Sequence, residues 1–185
     1  MDILAISGSL RAESTNTALL RAAAALAPED VHITIFEGLG CLPFFDPGLE
    51  PEHAPAPVLD FRARLRAADA VLICTPEYAH GMPGVLKNAL EWTVASGEFV
   101  DKPVVLLSTS PAGSGGAKAL AWLRQTLAVM SARILEDLSQ PIPFGRSRVK
   151  PSGEVVDSAL TVTLRSILEC LVLAVAAPPV NEALP

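Results

Sequence analysis

Residues 3–16, ILAISGSLRAESTN, pass from an uninterrupted apolar run into a turn crowded with polar side chains. The run at 3–6 lacks the alternation of a strand with one face in water, so it predicts a strand covered on both faces. Apolar residues at helical spacing follow at Leu19, Leu20 and Ala23. The stretch therefore predicts a strand, a polar turn and a helix in series.

The same succession recurs along the chain. Further apolar runs occupy 31–36, 70–74 and 104–107, a weaker run lies around 132–135, and a last helical pattern covers 160–175. Strand and helix alternate throughout, which predicts an α/β fold with a parallel sheet covered by helices on both faces. Ligands bind such sheets beyond the carboxyl ends of the strands, so the loops after strands one, three and four are expected to form one site.

The composition limits the classes of function. A chain of 185 residues, half of them hydrophobic, fits a single domain spanning residues 1–185. The net charge of −6 offers no basic surface for nucleic acid or an anionic membrane, so we expect neither as a partner. Three isolated cysteines, without a C-x-x-C pair or clustered histidines, indicate a cytoplasmic protein without a metal site.

Neither end of the chain is expected to enter a membrane. The start carries Asp2 and becomes polar by Ser7, unlike a signal peptide. The apolar run near the other end is interrupted by Arg165 and Glu169 and followed by Pro178. That run therefore predicts a buried amphipathic helix.

The polar turn predicts an anion site at the start of the first helix. Its side-chain donors are the hydroxyls of Ser7, Ser9, Ser14 and Thr15, the amide of Asn16 and the guanidinium of Arg11. Together with the N–H groups of a helix N-terminus, such donors suit a phosphate. One glycine and no lysine exclude the dinucleotide fingerprint and the ATP-type loop. Donors on several sides favour a terminal phosphomonoester, hence FMN over NAD; helix capping by the same side chains is the alternative.

The loop after the third strand, TPEYAHGMPGVLKNALEW at 75–92, has the features of a wall for a flavin ring. Pro76 and Pro83 stiffen it, and its glycines permit close backbone approach. The backbone groups expected at the ring edge are those of Glu77, Tyr78, Ala79 and His80. No catalytic side chain is required, because the cofactor carries the redox chemistry. For His80 a plain surface position is favoured over contact with a ligand, and for Cys74 core packing is favoured over a position facing the pocket.

The loop after the fourth strand, STSPAGSGGAKAL at 108–120, combines small residues with three glycines. Small side chains let a planar ligand lie against the backbone, and the hydroxyls of 108–110 can donate to it. The loop contains no G-x-S-x-G motif, so it does not predict a hydrolase nucleophile.

With these three loops in order, the sequence resembles the NADPH-dependent FMN reductase family, the flavodoxin-like group that includes quinone, chromate and azo-dye reductases. GSLRAESTN at 8–16 is similar to the phosphate loop of that family. Residues 75–92 are similar to its PEY…PG.LKNA.DW signature, and its GG…LR..L pattern recurs at 115–127.

The resemblance implies a flavodoxin-like three-layer sandwich with a five-stranded parallel sheet of order 2-1-3-4-5. It implies that the FMN phosphate is held by Ser9, Arg11, Ser14 and Asn16. It also implies that 76–78 contact the isoalloxazine and that Ser110 flanks it. Family members assemble as dimers or tetramers, which gives Glu77 and Arg124 an expected interface role.

The predicted function is transfer of electrons from NAD(P)H through FMN to a quinone, a flavin or a similar small acceptor, by a ping-pong mechanism. Ala79, His80 and Gly81 depart from the family pattern, so the sequence leaves the acceptor open. Two other functions remain open at this point. One is a flavodoxin-like electron carrier, and the other is a hydrolase or nucleotide-modifying enzyme that uses the first loop for a substrate phosphate.

Overall fold

One parallel sheet organises the computed structural model, which describes residues 1–49 and 54–177. Its strands are β1 (Asp2–Ser7), β2 (His32–Ile35), β3 (Ala70–Thr75), β4 (Pro103–Thr109), β5 (Arg133–Ile134) and β6 (Gln140–Ile142). The order is β2-β1-β3-β4-β5, and β6 also pairs with β4. The flavodoxin-like α/β fold and its strand order are therefore confirmed.

Within residues 1–49 and 54–177, six helices flank the sheet. They are α1 (Thr15–Leu26), α2 (Ala56–Ala67), α3 (Gly84–Glu91), α4 (Ala117–Val129), α5 (Gly145–Arg148) and α6 (Ser158–Ala176), and short 3₁₀ turns lie at Gly38–Cys41 and Glu136–Leu138. Successive residues of β4 face opposite layers: Leu106 packs in the cluster with α2, α3 and α4, and Leu107 in the cluster with α1 and α6. This alternation gives the sheet a core on each face.

The fifth position of the sheet is divided between two short strands. β5 pairs with Pro103 and Val104, whereas β6 pairs with 107–109. At the gap, the Ser139 hydroxyl accepts a hydrogen bond from the N–H of Leu106 (3.0 Å) and donates one to the carbonyl of Leu135 (2.8 Å). A side chain thus replaces the missing strand partner and keeps the buried N–H satisfied.

The strand predicted at 31–36 is not covered on both faces. β2 is an edge strand, and its four residues alternate between exposed and half-buried. An edge strand has a neighbour on one side only, which leaves its side chains closer to solvent than those of the central strands.

Helix α6 is long and apolar enough to cross a membrane by length and composition. In the structure it buries one face, formed by Leu160, Leu164, Ile167, Leu168 and Leu171, in the core shared with α1. Asp157 caps its start by accepting hydrogen bonds from the N–H groups of Ala159 (2.9 Å) and Leu160 (3.4 Å).

The strand register aligns the ends that carry the candidate site. Ser7 of β1 pairs with Cys74 of β3, and Thr75 pairs with Ser108 of β4. The three distinctive loops therefore leave the sheet side by side at its carboxyl edge.

Candidate functional site

A cleft of about 110 Å³ lies at this carboxyl edge. Its lining includes the predicted residues Ser9, Arg11, Ser14, Thr15, Asn16, Pro76, Glu77, Tyr78 and Ser110. Ala79 and His80 lie outside the lining, on the adjacent turn. The lining is completed by Thr109, which is among the predicted hydroxyls of 108–110, and by Pro111 and Arg146, which sequence reasoning missed. Pro111 adjoins a predicted residue, whereas Arg146 comes from the proline- and glycine-rich stretch at 141–153, which gave no ligand signal.

Hydroxyl groups shape the loop between β1 and α1. Ser14 is the N-cap of α1, and its hydroxyl accepts a hydrogen bond from the N–H of Thr17 (3.4 Å). The hydroxyls of Ser7 and Thr17 are 2.7 Å apart, and Ser9 Oγ accepts from the N–H of Arg11 (3.3 Å). Capping is thus one role of the polar turn. The first N–H groups of an α-helix have no intrahelical acceptors, and Ser14, Thr15 and Asn16 line the cleft, so an anion bound there would lie at the positive end of α1.

The side chain of Asn16 joins three segments of the site. Its Oδ1 accepts from the N–H of Thr109 and from the thiol of Cys74, both at 3.2 Å, and its Nδ2 donates to the carbonyl of Thr109 (3.4 Å). Asn16 and Cys74 are both buried. Burial raises the pKa of the Cys74 thiol, which is therefore a neutral core group. The side-chain amide of Asn16 is thus engaged within the core.

A tight turn follows Tyr78 in the second loop. The backbone groups of Tyr78 and Gly81 exchange two hydrogen bonds of 3.0 Å. Between them Ala79 has φ 49° and His80 has φ 64°, the left-handed conformations of a type I′ turn. Neither residue is glycine or asparagine, so the turn stores conformational strain beside the cleft.

The Glu77 carboxylate connects the second loop to the third. Its Oε2 accepts from the N–H groups of Lys118 (2.9 Å) and Ala119 (3.2 Å) at the start of α4, and its Oε1 lies 3.2 Å from Nδ1 of His80. The hydrogen bond from His80, followed by those from the two backbone N–H groups, lowers the pKa of Glu77. The charge is thus engaged within the chain, where it offsets the positive end of the α4 dipole.

The third loop brings backbone close to the cleft. Gly115 has φ 60° and Gly116 has φ 87°, both in the left-handed region, and Ser108 Oγ donates to the carbonyl of Gly115 (2.9 Å). The Ser108 hydroxyl is therefore used inside the loop. Ser110 Oγ accepts from the N–H of Ala112 (3.3 Å) and remains at the cleft.

The donor set of the cleft fits the phosphate-bearing end of FMN. Two guanidinium groups, Arg11 and Arg146, line it together with several hydroxyls and the start of α1. Glu77, the one carboxylate in the lining, is already paired. Pockets that enclose a whole drug-sized ligand hold about 300–1,000 Å³. A cleft of about 110 Å³ therefore encloses only part of FMN, and the remainder would lie on the outer face of the loops.

Comparisons with known proteins agree with this chemistry. The family model described as NADPH-dependent FMN reductase matches residues 1–145. An NAD(P)H-dependent FMN reductase of Pseudomonas aeruginosa is 35% identical over 173 residues, which are 92% of this chain and 93% of that protein. A 2-hydroxy-1,4-benzoquinone reductase of a Burkholderia species is 33% identical over 172 residues, 91% of this chain and 93% of that protein. The solved structure of FerB, a flavoenzyme NAD(P)H:(acceptor) oxidoreductase from Paracoccus denitrificans, matches with a TM-score of 0.86 and 28% identity, covering 95% of this chain and 97% of FerB.

The strained turn predicts opposite effects for two substitutions at Ala79. Ala79→Asn raises the free energy of unfolding by about 1 kcal/mol, because asparagine tolerates the left-handed conformation. Ala79→Val lowers it by about 1 kcal/mol or more, because a branched side chain does not. Urea unfolding of the flavin-free protein measures both. Changes of the same sign in the two variants would contradict the strain assigned to this turn.

The Glu77 network predicts a pH-dependent loss of stability. Glu77→Gln lowers the free energy of unfolding at pH 7 by about 1 kcal/mol, because a neutral amide bonds the N–H groups of α4 more weakly. The pKa of Glu77 is lowered in the folded state. The stabilisation is therefore complete above the unfolded-state pKa of about 4.3 and is lost as the pH falls through the lower folded-state pKa.

Urea unfolding at a series of pH values tests the Glu77 network. If the network is correct, the free energies of unfolding of the wild type and of Glu77→Gln converge at low pH. Glu29→Gln is the matched control, because Glu29 is exposed and a surface change of this kind stays within about 0.5 kcal/mol. A Glu77→Gln effect that does not depend on pH would contradict the assignment.

Proposed function

We propose that this chain, which belongs to the NADPH-dependent FMN reductase family, passes electrons from NAD(P)H through FMN to a quinone or a similar small acceptor by a ping-pong mechanism. Membership of the family confirms that the protein is a flavin-dependent oxidoreductase with NAD(P)H as electron donor. The acceptor, the order of binding, the site residues and the assembly are the parts that we propose.

The observation that carries the proposal is the convergence of the three loops around one cleft. In the proposed complex, Ser9, Arg11, Ser14, Thr15 and Asn16 surround the phosphate of FMN. Pro76, Glu77, Tyr78 and Ser110 contact the isoalloxazine, and Ala79 and His80 form the outer edge of its wall. The strained turn at 79–80 presents backbone groups there instead of a catalytic side chain.

The protein contributes binding geometry to the reaction, while bound FMN supplies the acceptance and return of two electrons. Tyr78 is half exposed, so the wall beside it is open to an incoming ligand. The loops must hold a nicotinamide within about 3–3.5 Å of the flavin, as near-attack geometry requires. The backbone N–H groups of Glu77, Ala79 and His80 would stabilise negative charge at the edge of the ring, whereas that of Tyr78 is bonded to the carbonyl of Gly81.

The one open wall, beside the half-exposed Tyr78, favours a mechanism in which NAD(P)H and the acceptor use the same site in turn. After giving its hydride to FMN, the pyridine nucleotide would leave as NAD(P)+ before the oxidised acceptor binds, because both would need the same open side of the site. The name of the Burkholderia relative supports a quinone as the acceptor. The match to reductases that use NAD(P)H argues against the electron-carrier alternative.

We further propose that the chain assembles as a homodimer or homotetramer through a groove between α3 and α4. The groove holds about 590 Å³. Its lining includes the exposed apolar side chains of Val94, Trp122 and Val129, which are 63%, 63% and 84% exposed. Trp122 lies close to Gly81 of the strained turn. A second subunit bound in this groove would therefore cover the outer part of the proposed FMN site, which the cleft at the carboxyl edge of the sheet does not enclose.

The interface roles of Glu77 and Arg124 remain predictions, since each side chain has a partner within the chain. Glu77 bonds the start of α4, and Arg124 Nε lies 2.7 Å from Glu136 Oε2. A single domain over residues 1–185, the cytoplasmic location and the absence of nucleic-acid or membrane partners also remain proposals. They rest on the length, the isolated cysteines and the net charge of −6.

Steady-state kinetics test the reaction that we propose. The purified, FMN-loaded protein oxidises NADH or NADPH with a benzoquinone as acceptor and without a second protein, and double-reciprocal plots at several acceptor concentrations are parallel. Intersecting lines would contradict alternating use of one site. Absence of NAD(P)H oxidation without a partner reductase would instead indicate an electron carrier.

Substitution in the groove tests the assembly. Val129→Asp places a charge on the proposed contact, so its mass in solution falls to that of one chain, 19.4 kDa, while the wild-type protein has a multiple of it. Val162→Asp is the matched control, because Val162 is 68% exposed on α6, away from the groove. Analytical ultracentrifugation measures the masses. A monomeric wild type, or an oligomeric Val129→Asp variant, would contradict this interface.

A further inference from the structure

We infer that Arg146 is a second cationic anchor for the phosphate of FMN and a determinant of the preference for FMN over unphosphorylated flavin. This inference rests on the proposed binding of FMN at the cleft. It adds a fourth segment to the site, namely residues 142–148, which connect β6 to α5 and include that helix. The three loops that were identified by their sequence motifs do not include this segment.

Close packing fixes the segment against the other parts of the cleft. A Cβ atom added to Gly145 would lie 1.9 Å from Oγ1 of Thr109 and 3.1 Å from Cγ2 of Thr15. The Thr109 hydroxyl also donates to the carbonyl of Ile142 (2.9 Å). Only glycine fits at position 145, so the backbone of the segment is held directly against the end of β4 and the start of α1.

The conformation of Phe144 is a second sign that the segment is held for binding. Phe144 has φ 54°, although a bulky side chain is disfavoured in the left-handed region. The carbonyl of Phe144 accepts from the N–H (3.0 Å) and the hydroxyl (2.9 Å) of Ser147. Such strain persists where the surroundings determine the backbone, and it is concentrated at ligand sites.

The two arginines of α5 have different surroundings. The guanidinium of Arg148 is paired with Asp157, the residue that caps α6. Arg146 lines the cleft, and among residues 1–49 and 54–177 its guanidinium has no hydrogen-bond or ion-pair partner. Arg148 therefore holds the segment in place, and Arg146 is left free to contact a ligand.

The charge of a phosphomonoester explains the need for a second arginine. Its second pKa is about 6, so the group approaches two negative charges at neutral pH. Arg11 contributes one guanidinium, part of which donates to the carbonyl of Glu13 (3.3 Å). Arg146 supplies the second positive charge in the cleft, and guanidinium groups bind phosphate oxygens with paired hydrogen bonds.

Arg146 and Arg11 also line a neighbouring depression of about 260 Å³ that contains Lys150. The Lys150 ammonium lies 2.7 Å from Oε1 of Glu154, so its charge is already compensated. Lys150 does not line the cleft itself. It is therefore a matched control that removes a nearby positive charge without removing a proposed phosphate contact.

The experiment compares FMN with riboflavin, which has the same ring and ribityl chain but no phosphate. Dissociation constants for both are measured by quenching of flavin fluorescence with flavin-free wild type, Arg146→Ala, Arg146→Lys, Arg11→Ala and Lys150→Ala. Arg146→Ala weakens FMN binding about ten- to hundredfold, as loss of a charged hydrogen bond implies. Riboflavin binding changes less than about twofold, and Arg146→Lys recovers part of the loss.

The outcomes separate this inference from the proposed function. Unchanged FMN binding in Arg146→Ala, with Arg11→Ala strongly weakened, would overturn the role of Arg146 and leave the phosphate site intact. Equal losses for FMN and riboflavin would show a structural effect and also overturn it. A wild type that binds FMN no better than riboflavin would overturn the phosphate site itself. If Lys150→Ala weakens FMN binding as much as Arg146→Ala does, the specific contact of Arg146 is overturned. The effect would then be general electrostatic attraction.

Discussion

The buried amide of Asn16 holds together the segments on which the site depends. Through Thr109 and Cys74 it connects the start of α1 to the ends of β4 and β3. Because these groups are buried, loss of the amide would leave the backbone N–H of Thr109 without an acceptor, at a cost of about 1–3 kcal/mol. The cleft is therefore a product of the core beneath it. The N-terminus of α1 is fixed in position before any ligand arrives.

Around this fixed centre, the structure divides its polar groups between support and binding. Ser7, Ser14, Ser108 and Glu77 form hydrogen bonds within and between the loops. The guanidinium of Arg146 and the first N–H groups of α1 remain for a ligand. Preorganised donors lose little conformational freedom on binding, which favours tight retention of a charged phosphate. The supporting residues matter to the reaction because they keep the binding groups in place.

Much of this arrangement was predictable because parallel strands bring their carboxyl ends to one edge. Apolar runs at 3–6, 70–74 and 104–107 located the central strands, so the loops after them had to meet. Arg146 was missed because β6, with the sequence Gln-Pro-Ile, has no apolar run to mark it as a strand. The role of Glu77 as a cap for α4, and of Asn16 as a buried connector, depends on distances between segments far apart in sequence. Local patterns do not encode those distances.

We propose that the phosphate of FMN lies at the start of α1, between the loop after β1 and the α5 segment. A crystal structure of the FMN-loaded protein tests it most directly. We expect phosphate oxygens within about 2.7–3.2 Å of backbone N–H groups of the loop at 9–16, with the guanidinium groups of Arg11 and Arg146 in contact. A phosphate bound in the groove between α3 and α4, with the cleft filled by side chains, would contradict the account.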